Sequence, residues 1–255
     1  MEAARVGGEV LERWRGKFNA REKSPGDLVT EADFEAQQAI QQFLERRTPE
    51  FAFLAEEADA SDLSRLQGEY CWIVDPLDGT VNYAYGLAPY AVSIGLAKNG
   101  RVIAGAIWDP LLQEMFSAAV GEGAFCNDRR LKPTACTELN QALVGVGFAP
   151  QITRKHRQIQ QFLTVLEDCR GIRRLGSAAL TICYVADGRL DGFWTETVKT
   201  WDVAAGIVIA EEAGASVSRT DGQPLDLADP KIVISATPAL HERFVELLRS
   251  VPAAP

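Results

Sequence analysis

The stretch at residues 72–85, WIVDPLDGTVNYAY, constrains this chain more than any other. A β-prone apolar run, Trp72-Ile73-Val74, meets Asp75 and then Pro76, which cannot continue a strand interior. Asp78 follows three residues after Asp75, and Gly79 and Thr80 come next. Two carboxylates so close at a strand end suit a hard cation such as Mg²⁺, which takes oxygen ligands. Gly79 lets the backbone approach a ligand closely. The N–H groups after it can face a phosphate, as at a helix N-terminus. The same residues also suit an Asx-type turn with Gly in a left-handed position, and D-x-x-D-G-T alone does not choose between the two.

The chain has 255 residues, enough for one large domain or two halves sharing a site. With 47% hydrophobic and 24% charged residues it reads as an ordinary soluble globular protein. No apolar run approaches the ~20 residues of a membrane span. The first 18 residues carry charges and no signal-peptide core, so a cytoplasmic protein is expected. The net charge is −9, and basic residues cluster only in short groups such as 170–174, which argues against nucleic acid as the main ligand. Five scattered cysteines, Cys71, Cys126, Cys136, Cys169 and Cys183, form no C-x-x-C pair and read as thiols in a reducing compartment. The two histidines, His156 and His241, fall in expected helices among charged neighbours and read as solvated. A zinc site or a Ser-His-Asp triad therefore has little material. Hydrolytic chemistry here would run on carboxylates, hydroxyls and oxygen-bound metal.

Residues 3–18 predict an amphipathic helix, with Val6, Val10, Trp14 and Phe18 four apart. Residues 24–26 break it, and 27–29 read as a short linker. Thr30 opens a second helix in a capping-box-like pattern with Asp33. Asp33 reads equally well as a first-turn acid complementing the helix dipole. A short strand at 51–54 runs into Glu56 and Glu57, one a ligand and one its solvated partner, or simply a charged loop. Residues 59–69 read as loop. Strands at 91–97 and 102–108 flank an Asn99-Gly100 hairpin signal, followed by a strand at 114–119 and an extended piece at Leu131. The character changes near 135–139. From there strands at 143–146, 172–175, 191–195, 215–218 and 232–235 alternate with helices at 153–168, 177–186, 201–213 and 238–249, as in an α/β layer. The expected organisation is one compact catalytic unit of two halves. Residues 1–137 form an α+β half with an antiparallel sheet and the main metal motif, and 138–255 form an α/β half. Asp202, at the start of the small-residue helix WDVAAG, reads alone as a cap.

Six blocks stand in order along the chain: DLVTEAD at 27–33, AEE at 55–57, DPLDGTVNY at 75–83, GAFCND at 123–128, GSAA at 176–179 and WDVAAG at 201–206. In them the chain resembles the inositol monophosphatase family from about residue 5 to 248. The resemblance implies a layered αβαβα sandwich of the inositol monophosphatase/fructose-bisphosphatase type and a homodimer. It implies a Li⁺-sensitive phosphatase using two or three Mg²⁺ ions. Glu56, Asp75, Asp78, Asp202 and the carbonyl of Leu77 would bind metal. Gly79 and Thr80 would hold the phosphate, and Thr80 and Asp33, with Glu56, would position the attacking water. Asp78, Gly176, Ser177, Ala178, Thr195 and Glu196 would face the substrate. The implied reaction converts inositol 1-phosphate and water to inositol and phosphate. The alternatives are another substrate on the same fold (histidinol phosphate, fructose 1,6-bisphosphate or another sugar phosphate) or a non-catalytic regulatory member. Elementary electrostatics agrees with the metal requirement: an anionic cage repels a phosphate ester unless cations intervene, and phosphoryl transfer needs mainly positioning and charge neutralisation.

Two positions depart from the family pattern. Ala55 stands where the family usually has Gly. Thr195 stands where inositol-cleaving relatives carry a glutamate that contacts sugar hydroxyls, and Glu196 lies one residue on, which in a strand is the opposite face. Broad specificity for small polyol or sugar phosphates is the resulting expectation.

Overall fold

The computed structural model describes residues 1–57 and 62–252. Two helices, α1 (Glu2–Trp14) and α2 (Glu31–Glu45), flank a hairpin of β1 (Arg21–Ser24) and β2 (Asp27–Val29). Next come β3 (Ala52–Ala55), β4 (Tyr70–Asp78), the short α3 (Thr80–Ala84), β5 (Ala91–Lys98), β6 (Arg101–Asp109), β7 (Glu114–Ala119), β8 (Gly123–Cys126) and β9 (Arg129–Arg130). These strands form a seven-stranded sheet in sequence order. It is antiparallel except at its edge, where β3 runs parallel to β4. The rest comprises β10 (Leu143–Val146), α4 (Arg157–Asp168), β11 (Gly171–Arg173), α5 (Ala178–Ala186), β12 (Gly192–Thr195), α6 (Thr200–Ala213), β13 (Ser216–Arg219), β14 (Ile232–Ser235) and α7 (Pro238–Ser250). The second sheet has the order β11-β10-β12-β14-β13, with β10 parallel to both neighbours and β14 antiparallel to both of its own.

The layers follow from which faces are apolar. Leu11 of α1 and Ile40 of α2 pack with Val74 and Val92 on one face of the first sheet. Ile73, Ile107 and Phe116 on its other face meet Leu180 of α5 and Ala204, Ala205 and Val208 of α6. The far sides of these two helices, Ile182, Val203 and Ile207, meet Phe193, Ile232 and Ile234 of the second sheet. That sheet's outer face, Val144, Trp194 and Val233, is covered by Val165 of α4 and Leu240 and Phe244 of α7. The result is an αβαβα sandwich. Ten of the 14 residues of α6 are buried, as a helix apolar all round must be. Its close seat on the first sheet needs Gly105, where a Cβ would stand 2.5 Å from the Ala205 carbonyl oxygen.

Several expectations change. Residues 27–29 are not a linker but β2, paired with β1. The first helix ends at Trp14, and α4 starts at Arg157 rather than near 153. Residues 63–67 form a 3₁₀ turn, and 59–61 lie outside the described residues. Pro76 does not end its strand: β4 continues to Asp78 through a register shift. Neither histidine is merely solvated. His156 caps α4 by accepting from the Gln158 amide at 3.2 Å. His241, half-buried on α7, sits 2.9 Å from Ser218 Oγ on β13. All five cysteines are free thiols. Among the described residues no helix is long and apolar enough to cross a membrane.

Candidate active site

A cleft of about 700 Å³ opens where β3, β4, β10, β11 and β12 end and α3, α5 and α6 begin. Asp75 and Asp78 both line it. In a regular strand, residues three apart face opposite ways. Here Asp75 pairs with Ser93 and Asp78 with Ala91, so three steps on β4 match two on β5. The extra residue is a β-bulge, which re-aims a side chain and turns both aspartates into one cleft. Asp75 is 1% exposed and Asp78 8%. Burial raises the Asp75 carboxyl well above the ordinary aspartate range, and Glu56, Asp78 and Asp202 add repulsion. Burial also lifts Asp78 to about 6, against three donors at the start of α5: Ser177 Oγ, the Ala179 amide at 2.8 Å and the Ala178 amide at 3.2 Å. Asp202, in the first turn of α6, accepts from the Lys199 amide at 2.8 Å and is raised by burial, then by Glu56 and Asp78.

Beyond the bulge the chain turns at Gly79, whose φ of +99° favours glycine. A Cβ there would also stand 3.0 Å from the Pro89 carbonyl oxygen. The turn starts α3 and brings Thr80 Oγ1 to 3.0 Å from both Asp33 Oδ1 and the Leu77 carbonyl oxygen. Asp33 Oδ2 accepts from Thr30 N at 2.8 Å and Thr30 Oγ1 at 2.6 Å. Burial pushes Asp33 up to about 6 against these bonds.

Glu56 continues the β3 ladder by donating its amide to the Val74 carbonyl at 3.2 Å. Its carboxylate accepts from Lys23 Nζ at 2.9 Å, and the same ammonium bonds Glu57. Burial pulls against the Lys23 charge, but the two glutamates outweigh it and hold its pKa above the ordinary lysine value. Burial lifts Glu57 to about 7. Lys23 was not legible in the sequence as a site residue, because its hairpin read as a break and a linker. Asn82 was also missed. Its side-chain amide donates to the Pro89 carbonyl at 2.7 Å and the Leu175 carbonyl at 2.8 Å, joining α3 to the loop before Ser177.

The Inositol monophosphatase family matches residues 1–253 of this chain. The chain belongs to that family. It is 37% identical over 254 residues to an inositol-1-monophosphatase of Mesorhizobium japonicum, covering 98% of this chain and 94% of that protein. It is also 37% identical over 243 residues to the Nus factor SuhB of Pseudomonas aeruginosa, covering 93% and 90%. The crystal structure of extragenic suppressor protein suhB from Bartonella henselae superposes with a TM-score of 0.88 at 35% identity, covering 97% of this chain and 96% of that one.

Of the residues that the family resemblance singles out, Glu56, Asp75, Leu77, Asp78, Gly79, Thr80, Gly176, Ser177, Ala178 and Asp202 all line the cleft, with Asp33 directly behind Thr80. Thr195 and Glu196 do not line it. Thr195 is fully buried, its Oγ1 accepting from the Thr197 amide at 3.3 Å. Glu196 points the other way, accepting from Arg157 Nη1 at 2.8 Å, Gln161 Nε2 at 2.9 Å and Thr220 Oγ1 at 3.1 Å. Among the described residues no three His, Cys, Asp or Glu side chains already stand together as an ion's ligands. The carboxylates are instead turned to amides, to Ser177 and to Lys23. The donor set still fits Mg²⁺. It is all oxygen, and four acids share one cleft; burial and nearby acids disfavour the charge of three of them, Asp75, Asp78 and Asp202, a cost that a bound cation reverses.

Proposed function

We propose that this chain hydrolyses small phosphate monoesters in an Mg²⁺-dependent reaction, with inositol 1-phosphate among its substrates. The reading is carried by one observation: Asp75, Asp78, Asp202 and Glu56 share a cleft with the Thr80–Asp33 pair. Two or three bound Mg²⁺ ions would neutralise the carboxylates, stabilise charge on the phosphoryl oxygens and make water acidic enough to attack. The chain's own groups do the positioning. The Thr80 hydroxyl has one proton, which goes to Asp33 Oδ1 or to the Leu77 carbonyl. Its lone pairs then accept from the attacking water, and Asp33, fixed by Thr30, stabilises the proton shift toward Thr80. The amides of Gly79 and Thr80 cradle the phosphoryl group. The water oxygen bonds to phosphorus as the ester P–O bond breaks, and the departing alkoxide takes a proton from a solvent water, whose hydroxide is neutralised by the proton that left the attacking water. Gly176, Ser177 and Ala178 lie on the leaving-group side, where Asp78 is held against rotation by its three donors. The reading includes a cytoplasmic homodimer, supported by the family resemblance and by the scattered thiols.

The deciding experiment measures phosphate release from inositol 1-phosphate, glycerol 2-phosphate and sugar phosphates with Mg²⁺ or with EDTA. Turnover is expected only with Mg²⁺, inhibited by millimolar-scale Li⁺, and reduced at least ~100-fold in Asp75→Asn. Undiminished release by that variant would remove the metal assignment. A second reading, a Nus factor role without turnover, draws on the equal identity to a relative of that name. Absence of phosphate release from every ester in Mg²⁺ would favour it.

A further inference from the structure

The leaving-group half of the cleft is built by three strands whose C-terminal ends lie side by side. β11, β10 and β12 are parallel neighbours, and they deliver Arg174, Phe148 and the segment from Thr197 to Lys199 to the same cleft. The crevice outside the carboxyl ends of such strands is where α/β sheets bind ligands. Phe148 gives this floor an apolar face, and the Arg174 guanidinium lies 5.9 Å from its ring centre. Arg174 and Lys199 are both exposed. Among the described residues neither side chain makes an ion pair or a hydrogen bond, although the Lys199 charge reaches Asp202.

Apart from Asp202, which the Lys199 charge reaches, no carboxylate of this wall among the described residues lines the cleft beside them. Thr195 is buried, and the Glu196 carboxylate is taken by Arg157, Gln161 and Thr220 on the far side of β12. Asp27 lines the cleft from the hairpin side, and the metal-site acids lie at its deep end. A neutral polyol offers a free guanidinium hydroxyl acceptors but no opposite charge. A leaving group with a second negative charge has one, and Arg binds phosphate or carboxylate through paired N–H groups.

We infer that this half of the cleft takes an alcohol bearing a second anionic group, a phosphate or a carboxylate, held by Arg174 with Lys199 beside it. The inference rests on the phosphatase reading of the same site and narrows its substrate class.

Two matched pairs test it: fructose 1-phosphate against fructose 1,6-bisphosphate, and glycerol 3-phosphate against 3-phosphoglycerate. With Mg²⁺, kcat/KM for the second member of at least one pair should exceed that for the first by about tenfold or more, the worth of one charge-assisted hydrogen bond. A gain in the first pair alone marks a phosphate subsite, and in the second pair alone a carboxylate subsite. Arg174→Gln should cut that ratio below about threefold, and Lys199→Gln should cut it part-way. Equal values for both members of both pairs in the native protein would overturn the inference. A readout without turnover keeps it separate from the phosphatase reading. In calorimetric titrations fructose 6-phosphate should bind more tightly than fructose, and Arg174→Gln should weaken it about tenfold. If no ester is hydrolysed the phosphatase reading fails, and this titration still decides the anion site. Binding of fructose 6-phosphate that is indifferent to Arg174→Gln would sink it.

Discussion

Asp33 divides its two oxygens between a structural and a chemical partner. Oδ2 closes the capping box of α2 with Thr30, and Oδ1 receives the Thr80 hydroxyl. Its two sequence readings, cap and site residue, therefore coexist in one side chain. This sets a residue-scale prediction. If Asp33 acts on the reaction through Thr80, then Thr80→Ala and Asp33→Asn each lower kcat about 100-fold. The double variant should lose little more than the worse single one, because groups acting as a unit are not additive. Full additivity in that cycle would separate the two residues. Legibility at this scale followed distance along the chain. Asp75, Asp78, Gly79 and Thr80 are near neighbours, so their pattern could be read directly. Lys23 meets Glu56 and Glu57 from 33 and 34 positions away, and nothing in KSPGD announces that partner. The opposite-face direction of Glu196 followed from strand alternation, but its partners Arg157 and Thr220 lie on other elements and could not be read from its neighbours.

At the scale of elements, Pro76 shows why the end of β4 was misread. Proline lacks the donor that a regular ladder needs, but bulges tolerate it, and the register shift falls between Asp75 and Asp78. The hairpin between β5 and β6 was legible because Asn99 and Gly100, with φ of 49° and 77°, are residues that accept that backbone. The polar junction of α4, α7, β12 and β13 was not, since an ion pair between distant residues, Arg157 and Glu196, joins it beside the apolar packing of α4, α7 and β12. Side-chain exposure is 22% for Arg157 and 7% for Glu196, and Arg157 also donates to the Leu248 and Val251 carbonyls at the end of α7. Arg157→Ala strands a buried carboxylate, so it should destabilise the fold by about 3 kcal/mol. Urea unfolding measures this, and a loss within about 0.5 kcal/mol, the range of ordinary surface substitutions, would show that the pair is not effectively buried.

For the whole molecule, the cleft acids make stability depend on pH and on cations together. Asp33 and Asp78 are pushed up to about 6, and Asp75 and Asp202 are raised well above 3.8. The unfolded chain ionises these groups near 3.8, the folded chain only at higher pH. The stability they contribute is therefore full below 3.8 and is lost as pH rises, through about 6 for Asp33 and Asp78. His241, lowered by burial, works the other way below its ordinary value of 6.5, but as one group against four. In EDTA, Tm should fall between pH 5 and pH 7.5. Mg²⁺, which favours the folded, ionised site, should raise Tm more at pH 7.5 than at pH 5. A Mg²⁺ shift independent of pH would contradict the assignment. The alternation of strands and helices was enough to read the α/β character of the second sheet. The register of α6 against the first sheet was not readable, because it depends on Gly95 and Gly105 meeting Ala204 and Ala205 across the chain. That central layer has a further result. Asp78 is bonded to the start of α5 and Asp202 rides on α6, the two helices enclosed between the sheets. Their amides should be the last in the protein to exchange with deuterium, opening only when the whole molecule does. A ligand that ties down these carboxylates should then slow exchange throughout both helices, so that the isotope clock of the interior reports occupancy of the cleft.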